Sequence, residues 1–574
     1  MQKQVFNPFL PLWEYIPDGE PHLFGGRVYL YGSHDREGGW TFCMDDYTVW
    51  SAPEDDLSDW RCEGVIYRAE QDPMYPEMKY MYAPDVVQGN DGRYYLYYCM
   101  SGDYGVGGYC CPISVAVSDT PAGSYTYLGH VQNPDGTPLM RYVCFDPAVM
   151  NDNGVIRLYY GTQYGYEEEQ PGDPQVIETE MEMFGRTREE ILSYPDSING
   201  PVMAVLEDDM LTVKEQPRHI IPYKVKGTSF EEHPFFEASS MRKVGEKYYF
   251  VYSSWQNHEL CYAVSDHPDR DFTFGGTIVS NGDIGVNGRT KKDRLNMTGT
   301  THGSILSVRG QWYVFYHRLT HKSDYSRQAC AEKIEIAADG SIRQAEITSC
   351  GLNDGPLRAE GSYPAVICCN LTNGNMPHGC NSIYREEFPN VTHGPAGTSG
   401  AADGKKDQDV ERFIGEIEEG SLIGYKYFRF EGVKEIGITA RIETPENHVV
   451  YSGPVRVDER SAEPVGGVAG TNATDADPGA AADYAIGTDS TIGTSSAIGA
   501  DSADGDFGAE TEVVMDVMTE IDGPVIGRIR IRQGADPMHW ETFYTETEIP
   551  DGVYAVFFRY HGDKKLQMKD ILFR

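Results

Sequence analysis

The sequence predicts an all-β chain: a five-bladed β-propeller over residues 1–345, a connector at 346–383, and a β-sandwich of jelly-roll type over 384–574. Three observations predict it. One phrase, a Gly-containing turn running into a Tyr-rich strand, recurs five times before residue 345. Tyr outnumbers Phe by 39 to 22, which suits many half-buried sheet positions. The last stretch, from Gly527 to Phe573, alternates apolar and polar residues as sandwich strands do.

The five copies read Gly25-Gly-Arg-Val-Tyr-Leu-Tyr31, Asp91-Gly-Arg-Tyr-Tyr-Leu-Tyr97, Asn153-Gly-Val-Ile-Arg-Leu-Tyr159, Gly245-Glu-Lys-Tyr-Tyr-Phe-Val251 and Arg309-Gly-Gln-Trp-Tyr-Val-Phe315. A short apolar run precedes each, so each copy is a strand, a tight turn and a strand. The turn glycines fall at 26, 92, 154, 245 and 310, at intervals of 66, 62, 91 and 65 residues, which four short strands per blade would fill. The long interval carries an insertion near 165–200, in which Glu178 to Ser193 reads as helical and outside the blade. Repeated units of similar length favour a propeller over a barrel or a simple sandwich, with the first strand of each blade lining a central channel.

Counting back from each turn glycine meets Asp18, Asp85, Asp146, Glu237 and His302, at offsets of eight residues or, for Asp85, seven. Ionisable groups that start apolar strands are costly to bury without a partner or a purpose. Asp146-Pro147 reads as a turn cap with a structural role. Asp18, Asp85 and Glu237 remain as a convergent set. Hydrolysis of a glycosidic bond needs one carboxylic acid and one carboxylate on opposite faces of the sugar, and a third negative charge can keep the acid protonated.

These residues lie in stretches that resemble glycoside hydrolase family 43: Asn7-Pro8, Asp18-Gly-Glu-Pro-His-Leu-Phe24, Tyr29-Leu-Tyr-Gly-Ser-His-Asp35, Tyr82-Ala-Pro-Asp85-Val-Val87, Phe236-Glu237-Ala-Ser239, Thr301-His302-Gly-Ser304 and Phe315-Tyr-His-Arg318. Each is short, but they occur in order and spread over the blades, over residues 7 to about 345. The resemblance implies a five-bladed propeller that releases terminal xylose or arabinofuranose from hemicellulose- or arabinan-derived oligosaccharides with inversion. It implies Asp18 as general base, Asp85 as pKa modulator and Glu237 as general acid. It also implies His302 as a channel histidine that helps hold calcium or water, and Arg318 as a hydrogen-bond donor to the sugar. Where the family shows Asp-Pro at the base, this chain has Asp18-Gly19 followed by Glu20-Pro21, so Glu20 is a rival base; the eight-residue offset favours Asp18. Trp40, Phe236 and Trp255 are candidates for stacking on sugar, although aromatics beside strands more often pack a core. Another five-bladed glycosidase, a glycoside phosphorylase or a non-catalytic glycan-binding propeller are the alternatives.

A net charge of −40 repels nucleic acid and anionic membrane surfaces and leaves a neutral oligosaccharide as the natural partner. The first residues show no secretory leader, so a cytoplasmic protein with reduced thiols among its 12 cysteines is expected. The C-terminal part resembles a family 6 carbohydrate-binding module, interrupted by low-complexity loops at 393–408 and 461–508.

Overall fold

Each copy of the repeated phrase builds the inner hairpin of one antiparallel sheet. The computed structural model describes residues 3–74, 78–101, 111–163, 174–194, 197–379, 387–394, 410–449 and 512–574. The first blade pairs β1 (Glu20–Phe24), β2 (Arg27–Tyr31), β3 (Tyr47–Pro53) and β4 (Arg61–Tyr67) in sequence order. The second pairs β5 (Tyr80–Gln88), β6 (Tyr94–Ser101), β7 (Ser114–Ser118) and β8 (Thr126–His130), and the third β9 (Ala148–Asp152), β10 (Val155–Tyr160), β11 (Val202–Leu206) and β12 (Val213–His219). The fourth contains β13 (Phe235–Val244), β14 (Lys247–Ser254), β15 (Glu259–Ser265) and β16 (Thr273–Ser280); the fifth contains β17 (Ser304–Val308), β18 (Gln311–Leu319) and β19 (Arg327–Ile334).

The inner strands touch in a closed ring, β1 to β5, β5 to β9, β9 to β13, β13 to β17 and β17 back to β1. The fold is therefore the five-bladed propeller that the repeat predicts. Its Tyr bias has a physical cause. Rings such as Tyr31, Tyr97 and Tyr98 bury fully between blades, while their hydroxyls donate to the Pro121 carbonyl (2.8 Å), the Met210 carbonyl (2.7 Å) and Asp72 Oδ2 (2.8 Å). Phe would fill the same space but take one donor away from each of those acceptors.

Closure of the ring needs a close backbone approach. Gly19 pairs with Gly303 across the first and fifth blades, and a Cβ on Gly303 would stand 1.9 Å from the Phe315 carbonyl oxygen. The N-terminal segment flanks β19: the Asn7 side chain donates to the Ala331 carbonyl (2.9 Å) and accepts from the Ala331 amide (3.0 Å), as a neighbouring strand would. In the third blade the insertion holds α1 (Pro174–Phe184) and α2 (Arg188–Leu192), the second opened by a Thr187/Glu190 capping box.

The second domain is a two-sheet sandwich. One sheet runs in the order β20 (Leu357–Arg358), β25 (Leu422–Phe430), β30 (Gly552–His561), β27 (Glu512–Met518), β28 (Val525–Arg532), with β22 (Asn370–Thr372) also on β25. The other runs β23 (Asn390–His393), β24 (Arg412–Ile417), β31 (Leu566–Phe573), β26 (Glu435–Ile442), β29 (Glu541–Glu546), with β21 (Gly361–Pro364) on β31. The connector, expected to be strandless and to wrap along the propeller, does meet the propeller, where Asn296 donates to the Cys369 carbonyl at 2.9 Å, but it also supplies β20, β21 and β22, because its short apolar runs pack into the sandwich core with Phe428, Phe558 and Phe573. The loops expected at 393–408 and 461–508 lie, apart from 393 and 394, outside the described residues.

Candidate active site

Asp18, Asp146 and His302 each stand six residues before the last paired residue of their inner hairpin, Phe24, Asp152 and Val308. Glu237 stands seven before Val244, and a shift in the ladder between Phe235 and Ser240 absorbs the extra residue. Four blades thus place an ionisable side chain at one level of the channel. Asp18 and Asp146 take left-handed backbone (φ 57° and 46°), which Asp tolerates, and Ala238 beside Glu237 has φ 69°. For Ala such a conformation costs on the order of 1–3 kcal/mol and is a mark of functional sites.

Asp85 does not share that level. It lies only three residues before its last paired residue, Gln88, because the turn of the second blade spans five residues, 89–93, where that of the first spans two, 25–26. Its fully buried carboxylate is 2.6 Å from His22 Nε2 and accepts from the Val149 amide at 2.7 Å. Beside it, Arg242 reaches Glu20, which also accepts from Ser240 (3.2 Å). Asp85 is therefore part of a paired layer beneath the site, and the carboxylate that stands against Glu237 is Asp146: its Oδ2 accepts from the amide of Ala238 at 3.0 Å. The sequence led to the expectation of a structural Asp146 and a modulating Asp85; the structure puts Asp146 beside Glu237 and pairs Asp85 with His22 and the Val149 amide.

At the upper level the charges are arranged in opposition. Burial, the largest single influence, would raise Asp18, but the Arg327 guanidinium 2.8 Å away, acting together with His317, His302 and a hydrogen bond from Ser33, outweighs it and holds the carboxyl below its ordinary range. Arg327 is itself oriented by Asp35 through contacts of 2.8 and 3.0 Å, and lies 4.6 Å from the centre of the Phe42 ring. His317 accepts the Asp18 amide at Nδ1 (3.2 Å) while its Nε2 meets the Thr300 carbonyl (2.8 Å), which sets one tautomer. Glu237 is pushed up to about 8, by burial first and by the charge of Asp18 second. Asp146 is raised well above the carboxylate range, by burial and then by Glu237 and Asp18, so Asp146 and Glu237 titrate as a pair. One carboxylate is kept ionised and another kept protonated in the same channel, the arrangement that separates a base from an acid.

Known proteins agree with this chemistry. The model of glycosyl hydrolases family 43 matches residues 15–342. The chain is 37% identical over 585 residues to a xylosidase/arabinosidase of Thermoclostridium stercorarium, covering 99% of this chain and 98% of that protein. The chain belongs to glycosyl hydrolase family 43. Xylosidase/arabinosidase 43A of Humicola insolens is 33% identical over 351 residues, 57% of this chain and 96% of that one. Among solved structures, a family 43 enzyme of Xanthomonas citri complexed with xylose is 25% identical with a TM-score of 0.46, over 60% of this chain and 93% of that one. The protein is a glycosidase.

In this family 43 glycosidase Arg318 does not reach the channel. β18 alternates sides, and since His317 faces Asp18 at 3.3 Å, Arg318 must face away. Its Nη1 donates to the carbonyls of Cys368 and Cys369, both at 3.1 Å, and its Nε meets Cys330 Sγ at 3.2 Å. The guanidinium in the site is that of Arg327, which the sequence reading passed over. A buried Arg opening the apolar run Ala329-Cys-Ala331 was the available signal. Phe236 and Trp255 are half-buried and meet at 6.0 Å next to Glu237, and half-buried Trp40 stands edge-on to Tyr80 at 6.1 Å. His302 Nδ1 lies 3.9 Å from Asp18 and 3.7 Å from Asp146, and burial brings its imidazole down to about 4, so it is neutral. In the sandwich, Arg441 covers Trp540 (4.0 Å) and Arg574 covers Tyr544 (3.8 Å), so one face of each ring is already taken.

Proposed function

We propose that this glycosidase releases terminal xylose or arabinofuranose from oligosaccharides in a single inverting displacement, with Asp18 as base, Glu237 as acid and Asp146, not Asp85, as the group that keeps Glu237 protonated. The opposed environments of Asp18 and Glu237 carry this reading. The relatives named xylosidase/arabinosidase support the pentose. Glu237 gives its proton to the leaving glycosidic oxygen as the bond to the anomeric carbon breaks. Asp18 takes a proton from the water that attacks the opposite face, and the sugar leaves with inverted configuration. Arg327 helps keep Asp18 ionised before the reaction, and neutral His302 lies between Asp18 and Asp146, beyond hydrogen-bond distance of both. Phe236, Trp255 and Trp40 offer apolar faces at the rim for the sugar ring.

Calcium in the channel would meet one imidazole nitrogen and two carboxylates near His302, fewer oxygens than the ~6–8 that calcium takes. Water would have to complete the shell. No step above runs through it.

Release of nitrophenol from aryl β-xyloside and aryl α-L-arabinofuranoside tests the substrate, and proton NMR of the first-formed sugar tests the displacement. Initial product with the configuration of the substrate would rule out the single step.

A further inference from the structure

Two propeller loops orient the catalytic base, and both are tied to the second domain. The loop of residues 32–46, between β2 and β3, carries Asp35, Phe42 and Cys43; Asp35 grips Arg327 from one side and is fixed in turn by the Cys43 amide at 3.0 Å. The loop of residues 320–326, between β18 and β19, runs directly into Arg327. Within the propeller the first loop is held where the Asp35 amide donates to the Tyr15 carbonyl (3.0 Å), His34 Nε2 stands 2.8 Å from Glu14, and the Ala83 amide of β5 donates to Ser33 Oγ (2.8 Å).

Sandwich strand β24 adds a second hold, common to both loops. Arg412 donates to both oxygens of Glu37 in the first loop, at 2.6 and 3.2 Å. Lys322 of the second loop lies buried, 2.6 Å from Glu416. Glu416 sits where the β24–β31 ladder skips between Ile414 and Ile417, with φ 56°, and its carboxylate also accepts from the Phe388 amide at 3.2 Å. The Val391 amide of β23 donates to the Thr320 carbonyl at 2.9 Å, and His321 and His393 each stand 3.3 Å from Glu37. Buried ion pairs are a poor route to stability, since apolar side chains of similar volume serve as well or better, but they specify one geometry.

We propose that β24 is a positioning element of the active site: through Arg412 and Glu416 it fixes the two loops that hold Arg327 against Asp18. The second domain thereby sets the geometry of the base and leaves recognition of the sugar to the propeller. Arg412 and Glu416 are positioning residues that act through Glu37, Lys322 and Arg327. The inference rests on Asp18 being the base.

The full-length protein carries the test, with kcat and KM measured on an aryl β-xyloside and an aryl α-L-arabinofuranoside. Arg412→Met and Glu416→Gln should each lower kcat on the order of tenfold to a hundredfold with KM within about twofold, because a displacement of about 1 Å at a reacting group costs that much. Arg412→Lys should recover part of the loss. In the double variant Lys322→Glu/Glu416→Lys the restored pair should bring kcat back above that of either single variant. Circular dichroism and melting temperature establish that each variant is folded at the assay temperature. Normal kcat in folded Arg412→Met and Glu416→Gln overturns the proposal, as does a rise in KM at unchanged kcat. If Arg412→Met does not fold, Arg412→Lys decides by the same criterion. Asp18→Asn is assayed alongside: if it keeps its turnover, the base assignment has failed, whereas a dead Asp18→Asn beside fully active β24 variants refutes the positioning role alone.

Discussion

Two layers of the propeller channel contain nearly the same chemistry and put it to different use. The upper layer holds Asp18, Asp146, Glu237 and His302; the lower holds Glu20, Asp85, His22 and Arg242. Below, each carboxylate has a basic partner in contact: His22 for Asp85 and Arg242 for Glu20. Above, one guanidinium serves Asp18, while the charge of Glu237 raises the proton affinity of Asp146 and the charge of Asp18 raises that of both. Burial is common to both layers. Glu20 is pushed up to about 8 by burial even with Arg242 in contact, so burial and a basic partner do not separate the layers; what sets the upper one apart is that three carboxylates, Asp18, Asp146 and Glu237, act on one another there.

The sharpest way to break this contrast is to remove one carboxylate from each layer. Asp18→Asn should reduce turnover by about 10³-fold with folding retained, since the amide cannot take a proton from water. Asp85→Asn should leave turnover within a few-fold but lower stability by about 1–3 kcal/mol, because His22 and the Val149 amide lose a charged acceptor. A folded Asp85→Asn protein without activity would erase the distinction between the layers.

A smaller effect is expected at the acid. Glu237→Ala should badly impair substrates with sugar leaving groups and spare activated aryl glycosides, whose phenolate departs with little protonation. Equal losses on both substrates would remove Glu237 from that role.

Next comes the coupling between Asp146 and Glu237. Activity should fall as pH rises through about 8, where the proton leaves Glu237. Asp146→Asn removes a negative neighbour, so the proton is held less tightly and the alkaline limb of kcat/KM should move to lower pH. The same substitution at Asp85 should leave the limb in place. An unmoved limb in Asp146→Asn, or a moved one in Asp85→Asn, would return the modulating role to the lower layer.

The smallest effect on catalysis belongs to Arg318. Arg318→Met should leave KM unchanged and cost about 1–3 kcal/mol of stability, from the hydrogen bonds lost at the buried carbonyls of Cys368 and Cys369. Denaturant melts and Michaelis kinetics on one preparation check both halves, and a several-fold rise in KM would put Arg318 back in the sugar site.

The blades, their number and their inner hairpins were legible because a strand, a turn glycine and a Tyr-rich strand are local, and local patterns repeat visibly along a chain. So was the placement of Asp18 and Glu237 in the channel, since both lie just upstream of two-residue turns. The exchange of Asp85 for Asp146 was not legible, because depth in the channel is set by which residues pair across a hairpin, and the five-residue turn at 89–93 shifts that pairing without altering the spacing to Gly92 by more than one residue. The side to which Arg318 points was decided by the alternation of a strand whose phase only its paired neighbours define. Arg412 and Glu37 lie 375 residues apart in sequence. The chain determined the repeat and the chemistry that each blade could offer; folding alone decided the depth of each carboxylate, the partner it meets there and the reach of the second domain to the base, because those depend on register and on contacts between distant segments.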